Sequence, residues 1–158
     1  EIINTAYKEL YGYSEMTERQ MKQYAEMYLP YLNTDLISII ENKEGVPVAM
    51  GICMPNLSRA IQKAKSKLFP FGWWHMAKAL FMKQGDTLDL LLIAALPEYQ
   101  DTGCISLIFA DIITAAQKMG LFVAECCPQL ETNSKALSVW RSLDTDETKK
   151  RHTWKKSI

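Results

Sequence analysis

An apolar segment that passes through a glycine turn into an amphipathic helix dominates the second half of this 158-residue chain. Residues 87–96, TLDLLLIAAL, predict a strand buried in the middle of a sheet. Apolar residues from 105 to 119 recur every three or four positions, which predicts a helix closed by Gly120. Residues 121–127 predict the next strand. A strand, a helix and a strand in this order form a right-handed parallel crossover, so the chain is restricted to sheets covered by helices.

Further helices and strands are predicted around this crossover from periodicity and turn residues. Between them, residues 55–86 predict a helical insertion that is rich in large apolar and basic side chains. The predicted fold class is α/β (α+β), a mixed, mainly antiparallel central sheet flanked by helices, in one domain over residues 1–158 that is a whole protein or a fragment. The other predicted elements are helices at 2–10, 17–30 and 133–141, and strands at 36–40, 46–54 and 149–158.

Composition argues against two classes of partner. The 18 basic and 18 acidic residues give zero net charge, so no nucleic-acid partner is expected, because such proteins present a basic surface. The chain lacks an apolar run of the roughly 18 residues that a membrane span needs, and no secretion signal is visible. No membrane partner is therefore expected, and the predicted location is cytoplasmic.

The four cysteines form no C-x-x-C pair, and both histidines lie far from them in sequence. No metal site is predicted from this spacing. The cysteines are interpreted as reduced, mostly buried thiols. An alternative interpretation makes Cys104 a reactive thiol, because a helix N-terminus lowers the pKa of a thiol.

The turn PEYQDTGCIS, residues 97–106, joins the buried strand to the helix. A helix N-terminus presents unpaired N–H groups and a partial positive charge, so it attracts anions such as phosphate. Gly103 allows close approach of the backbone to a ligand and a positive φ. Asp101, however, is a favoured N-cap residue whose carboxylate would take the amides that an anion needs. The turn predicts either an anion cradle or a helix capped by its own aspartate.

Residues 93–107, IAALPEYQDTGCISL, resemble the central motif of the GNAT superfamily of acyl-CoA-dependent N-acyltransferases. In that motif an apolar strand precedes Pro, an acidic residue and Tyr, then Gln or Arg, two residues, Gly, one residue and a final Gly or Ala. Residues 97–100 and Gly103 match the motif, whereas Ile105 replaces the final small residue.

Residues 133–140, NSKALSVW, resemble the N-x-x-A-x-x-x-Y segment of the same superfamily, with Trp140 in place of the tyrosine. The order of elements is also similar over the whole chain, apart from the insertion at 55–86. The resemblance implies a GNAT fold and an enzyme that transfers an acetyl or other acyl group from acyl-CoA, without a metal. The implied acceptor is a small-molecule or peptide amine, and a homodimer is left open.

In the resembling fold, the strand at 93–96 splays away from the next strand, pantetheine lies between them, and the turn amides bind the pyrophosphate. The residues implied in binding the cofactor are Ala95, Leu96, Gln100, Asp101, Thr102, Gly103, Cys104, Ile105, Asn133 and Trp140.

Acyl transfer to an amine needs a base for the amine and an acid for the departing thiolate. Asp89 and Glu125 lie on the two strands that line the implied cleft, so either is a candidate, directly or through water. The alternative is that each is a surface or strand-edge carboxylate. Tyr24 and Tyr99 are candidate hydroxyl donors with the same alternative, whereas the indole of Trp140 cannot serve as an acid.

Asp101, Ile105 and Trp140 support a second hypothesis, a catalytically inactive GNAT-like binding or assembly module. The aromatic cluster of the insertion, Phe69, Phe71, Trp73 and Trp74, is interpreted as core, with an acceptor pocket or a dimer surface as alternatives. The lysines before it are predicted to form a solvated helix face, or to contact an acidic acceptor; they are Lys63, Lys65 and Lys67.

Overall fold

The computed structural model describes residues 1–67, 69, 71–81, 85–141, 143–154 and 156. It comprises two compact units, Glu1–Glu125 and Cys126–Ile158. The helices are α1 (Ile2–Tyr7), α2 (Glu18–Tyr28), α3 (Ser58–Lys63), α4 (Gly72–Phe81), α5 (Cys104–Lys118) and α6 (Ser134–Arg141). The strands are β1 (Ile37–Glu41), β2 (Pro47–Pro55), β3 (Thr87–Ala95) and β4 (Val123–Cys126).

The four strands form one sheet in the order β1-β2-β3-β4. Strand β2 pairs antiparallel with β1 on one side and with β3 on the other. Strands β3 and β4 begin side by side at the same end of the sheet. There the Asp86 carbonyl accepts hydrogen bonds from the amides of Phe122 at 2.7 Å and Val123 at 2.9 Å. The predicted fold class is confirmed: a mixed, mainly antiparallel sheet is flanked by helices, with α3 and α4 inserted between β2 and β3.

Helix α5 crosses the sheet with its apolar stripe facing inward. Ile108 is 0% exposed and Ile112 is 1% exposed. Beneath them Gly51 leaves room for the helix, since a Cβ at this position would lie 2.5 Å from Ile108 Cγ2 and 3.0 Å from Ile112 Cδ1. The helix therefore packs directly on the backbone of β2.

We expect Gly51→Ala to lower the free energy of unfolding by about 1–3 kcal/mol, because the added methyl group overpacks this contact. The matched control is Gly85→Ala, where the nearest atom to a new Cβ is the Thr87 amide nitrogen at 4.0 Å. Urea denaturation of both variants measures the difference. Equal stabilities would contradict the close packing of α5 on β2.

Local signals in the sequence explain several helix ends. The capping box of α2 is present: Thr17 Oγ1 accepts from the Gln20 amide at 3.3 Å, and the Thr17 amide donates to Gln20 Oε1 at 2.9 Å. Helix α3 is shorter than its basic sequence suggests, because Lys65 and Ser66 adopt left-handed φ values of 50° and 55°. Among the described residues, no helix combines the length and the apolar character needed to cross a membrane.

Two predictions, one about a strand and one about the burial of an aromatic cluster, are wrong. The last strand predicted at 149–158 is not formed in its described residues, 149–154 and 156. That segment has too few apolar residues to give a strand a buried face, and Trp154 is 89% exposed. The aromatic cluster of the insertion is not core, since the side chains of Trp73 and Trp74 are 50% and 46% exposed.

Candidate functional site

The turn between β3 and α5 is not capped by its aspartate. Helix α5 begins at Cys104, and its N-cap is Gly103, with φ +87° and no side-chain cap. Asp101 is exposed, and its carboxylate does not cap the first turn of α5. The reason is positional, because Asp101 lies two residues before the N-cap Gly103 and so does not occupy the capping position.

Three amides at the start of α5 precede the first backbone hydrogen bond of the helix. The first backbone hydrogen bond of the helix runs from the Leu107 amide to the Gly103 carbonyl at 3.1 Å, so the amides of Cys104, Ile105 and Ser106 precede it. A Cβ at Gly103 would meet nothing within 4 Å. Of the two alternatives for this turn, the helix capped by its own aspartate is not formed, and the anion cradle stays a prediction.

Side chains of the turn contact neighbouring residues of the same turn. Thr102 Oγ1 donates to the Tyr99 carbonyl at 2.8 Å and lies 3.2 Å from Cys104 Sγ. Cys104 is only 8% exposed, which does not fit the accessible surroundings of a reactive thiol. Ile105, which replaces a small residue of the motif, is half-buried rather than projecting fully into solvent.

The last residues of β3 present two carbonyls on the edge away from β2. The Leu96 amide donates to the Val48 carbonyl at 2.9 Å, so by alternation the backbone groups of Ile93 and Ala95 face the opposite edge. Tyr7 Oη donates to the Ile93 carbonyl at 2.7 Å, and Gln100 Nε2 donates to the Ala95 carbonyl at 3.1 Å. No motif includes Tyr7, so this contact is not predicted from local sequence.

Asn56 brings the two candidate carboxylates together. Its Nδ2 donates to Asp89 Oδ1 at 2.7 Å and to Glu125 Oε2 at 3.1 Å. Its Oδ1 accepts from the Ser58 amide at 2.9 Å, which turns the NH₂ group toward the carboxylates. Asp89 and Glu125 are the third residues of β3 and β4, and Asn56 follows β2. Sequence analysis missed Asn56, because only the antiparallel return of β2 places it there.

Burial is the largest influence on the Asp89 carboxyl and raises its pKa above the usual 3.8. The hydrogen bond from Asn56 lowers the pKa, and the negative charge of Glu125 raises it slightly. Because the folded-state pKa is the higher one, the folded chain holds this proton more tightly than the unfolded chain. The associated stability is present below pH 3.8 and is lost as the pH rises through the folded-state pKa.

We expect two variants to move the pKa of Asp89 in opposite directions. Asn56→Ala raises it further, because the hydrogen bond to the charged form is lost, whereas Glu125→Gln lowers it by removing the like charge. Carboxyl-carbon NMR titration measures both shifts. Glu44→Gln, in the turn at the far end of β2, is the control and leaves the value unchanged. A lower pKa in Asn56→Ala would refute the bridge.

A small polar pocket adjoins Asn56, between the insertion and the start of β3. Asn56, which contacts both carboxylates, lines this pocket together with residues of the insertion. No such contact between the insertion and the carboxylates is predicted from the sequence. The lining residues are Asn56, Arg59, Ala60, Lys63, His75, Ala79, Gly85, Asp86 and Thr87.

The remaining candidates lie elsewhere in the chain. Asn133 and Trp140 belong to the second unit, where Asn133 Oδ1 accepts from the Ala136 amide at 3.2 Å and so caps α6. Trp140 is half-buried near the end of that helix. Tyr24 is 51% exposed on α2, and Tyr99 is half-buried in the turn. Their roles beside a thioester stay predictions. Among the described residues, no three His, Cys, Asp or Glu side chains group as a metal site would.

No protein-family model matches the chain. Two curated proteins are similar to it over 100 residues, 63% of its length. Protein YghO of Escherichia coli (strain K12) is 29% identical, with 25% of that protein covered. Bacterial ceramide synthase of Caulobacter vibrioides (strain NA1000 / CB15N) is 27% identical, with 26% covered. The aligned part thus spans about a quarter of the length of these relatives.

Solved structures of N-acetyltransferases share the fold. The aminoglycoside antibiotic 6'-N-acetyltransferase AAC(6')-IG from Acinetobacter haemolyticus aligns with a TM-score of 0.56 at 14% identity, over 99% of this chain and 92% of that one. Glucosamine-6-phosphate N-acetyltransferase from Arabidopsis thaliana aligns with 0.56 at 10% identity, over 95% and 87%. AAC(6')-Iy bound to CoA-S-monomethyl-acetylneamine gives 0.52 at 13%, over 96% and 86%. The fold is therefore that of the GNAT N-acetyltransferases, as the resemblance in sequence implies.

Proposed function

We propose that this chain is an N-acyltransferase of the GNAT type, which transfers an acyl group from acyl-CoA to an amine. The observation that supports the proposal is the turn at Gly103, where no side chain caps α5 and three amides precede its first backbone hydrogen bond. No side chain caps this helix, so one of the three grounds for an inactive module, Asp101, is weakened, whereas Ile105 and Trp140 still support that alternative.

The described residues fit an extended thioester cofactor. The amides of residues 104–106 would hold the pyrophosphate, since a helix N-terminus favours negative charge. The edge of β3 at Ile93 and Ala95 would hold the pantetheine arm, whose N–H groups can replace Tyr7 Oη and Gln100 Nε2 on the two carbonyls. Acyl-CoA supplies the activated acyl group at the end of that arm.

In this proposal the carboxylate pair is at the reacting end of the arm. Asp89 lies six residues before Ala95, the last residue of β3, which is roughly 20 Å along the strand, so only a long, extended molecule can reach both ends. In the proposed reaction Glu125 accepts a proton from the acceptor ammonium, and the neutral amine attacks the thioester carbonyl. The carbon–sulfur bond then breaks, CoA leaves with the electron pair as a thiolate, and this thiolate takes up the proton that the attacking nitrogen loses as the amide forms.

The acceptor is proposed from the name of one relative. Ceramide is an amide of a fatty acid with a long-chain amino alcohol, so the name bacterial ceramide synthase supports a lipid amine as the acceptor. This proposal narrows the small-molecule or peptide amine expected from the resemblance. The four cysteines are free thiols, which fits the cytoplasm, where acyl-CoA is available.

Titration calorimetry with acetyl-CoA, a long-chain acyl-CoA and CoA tests the proposal. We expect all three to bind with dissociation constants between about 1 µM and 1 mM, the usual range for enzyme substrates. An absence of heat at millimolar CoA would refute it and would favour the inactive binding or assembly module. Tighter binding of the long-chain acyl-CoA than of acetyl-CoA would favour transfer of a fatty acyl group over transfer of an acetyl group.

A further inference from the structure

The insertion between β2 and β3 has an unusual charge distribution. The sequence contains no acidic residue from Gly45 to Gly85, although the whole chain has equal numbers of acidic and basic residues. The acidic residue that follows, Asp86, pairs with Arg59 at 3.8 Å. The basic residues of this acid-free stretch are Arg59, Lys63, Lys65, Lys67, Lys78 and Lys83.

Large aromatic side chains are exposed on the same insertion. Phe69 and Phe71 are 77% and 70% exposed, ahead of the two half-exposed tryptophans. The rings of Trp73 and Trp74 lie edge to face with centroids 5.8 Å apart, and Lys78 Nζ lies 5.2 Å from the Trp74 ring. We call these four aromatic residues, together with the exposed Lys63, Lys65 and Lys67, the aromatic–basic surface.

A tight backbone connection holds this surface in place. After α3 the Ser66 amide donates to the Ile61 carbonyl at 3.1 Å, and the Lys67 amide donates to the Ala64 carbonyl at 2.9 Å. A Cβ at Gly72 would overlap the Lys67 carbonyl, so α4 starts directly against this turn. The left-handed conformations of Lys65 and Ser66 belong to the same turn. The aromatic side chains are therefore displayed by a packed helical hairpin.

We propose that the aromatic–basic surface docks on an anionic lipid bilayer. Clustered exposed aromatic groups mark an interaction site, and tryptophan favours the membrane–water interface. Lysine can extend its charge to lipid headgroups while its methylene stem covers apolar surface. A second copy of this chain fits less well, because it would bring lysines against lysines.

Docking of this kind needs no spanning helix. A short helical hairpin can lie in the interface with its aromatic groups among the headgroups and its lysines near anionic phosphates. The expectation of no membrane partner rests on the absence of a spanning segment, which does not bear on surface binding. The proposal is independent of acyl transfer, since it rests on exposure and charge in the insertion alone.

Cosedimentation with vesicles tests the surface, using phosphatidylcholine alone and phosphatidylcholine mixed with phosphatidylserine. We expect binding to the mixed vesicles, with at least about a tenfold loss in the Trp73→Ala/Trp74→Ala double variant. Substituting Lys63, Lys65 and Lys67 by Gln should weaken binding on the order of 100-fold and reduce it to the level on phosphatidylcholine, from about fivefold for each charge.

The matched control is Tyr28→Ala/Tyr31→Ala, because these rings are 55% and 59% exposed but lie outside the insertion. This control should bind the mixed vesicles like the unaltered chain, and circular dichroism confirms that each variant is folded. Absent binding of the unaltered chain, or equal loss in the control, would overturn the proposal. Self-association that disappears in the tryptophan variant, without vesicle binding, would overturn it in favour of a dimer surface.

Discussion

Gly103→Val should weaken the binding of CoA on the order of 100-fold, about 3 kcal/mol. Gly103 has φ +87°, a conformation that a branched side chain strongly disfavours, so the turn must rearrange. A Cβ at Gly103 meets nothing within 4 Å, so the expected loss comes from the rearranged turn and not from a clash with the protein. Titration calorimetry with CoA measures the loss.

Gly120→Val is the matched control for this variant. Gly120 closes the opposite end of α5 with φ +79°, and a Cβ there also meets nothing within 4 Å. Both substitutions should lower the free energy of unfolding by at least about 1–2 kcal/mol, because both force a left-handed conformation on an L-residue. Only Gly103→Val should affect CoA. Unchanged affinity in that variant would show that the turn is not the cradle.

The parts of the fold that the sequence predicts are those that local periodicity and capping determine. Ile108, Ile112 and Ala116 recur at helical spacing, and all three are buried in α5. The capping box at Thr17 depends only on residues within one turn, and it forms as predicted. Local signals of this kind do not depend on where the rest of the chain lies.

Contacts between distant segments were beyond such prediction. Asn56 donates hydrogen bonds to Asp89 and Glu125, which are 33 and 69 positions further along the chain. Tyr7 donates to the carbonyl of Ile93, which is 86 positions away. Nothing in the residues around Asn56 or Tyr7 marks them, because their roles come from the pairing of strands and the docking of α1. The aromatic cluster of the insertion was misinterpreted for a related reason, since aromatic composition alone does not distinguish a core from an exposed surface.

The two proposals about lipids come from different observations and can fail separately. The lipid amine acceptor rests on the name of a relative, whereas docking rests on exposed aromatic groups and unbalanced charge in the insertion. The small pocket beside Asn56 connects them spatially, because Arg59, Lys63 and His75 of the insertion line it together with Asn56.

Glu125→Gln should lower kcat for acyl transfer by about 10²–10⁴-fold, the usual contribution of a general base. Glu125 is the better candidate of the pair, because it is exposed and its bond to Asn56 is 3.1 Å, whereas Asp89 is half-buried with a bond of 2.7 Å. The amide of glutamine can still accept from Asn56, so the geometry is kept while the proton acceptor is lost. Steady-state kinetics with a long-chain amine and acyl-CoA measure the change.

KM for acyl-CoA should stay unchanged in Glu125→Gln, because the cradle lies roughly 20 Å away along the strand. Asp89→Asn should cost less than Glu125→Gln, since Asp89 is the positioned partner rather than the exposed base. Glu44→Gln, in the remote hairpin turn, controls for loss of a carboxylate in general. A larger loss of kcat in Asp89→Asn than in Glu125→Gln would make Asp89 the base and Glu125 its positioned partner. Full activity in both variants would leave the proposed reaction without its base and would refute this assignment, even if CoA still binds at the turn.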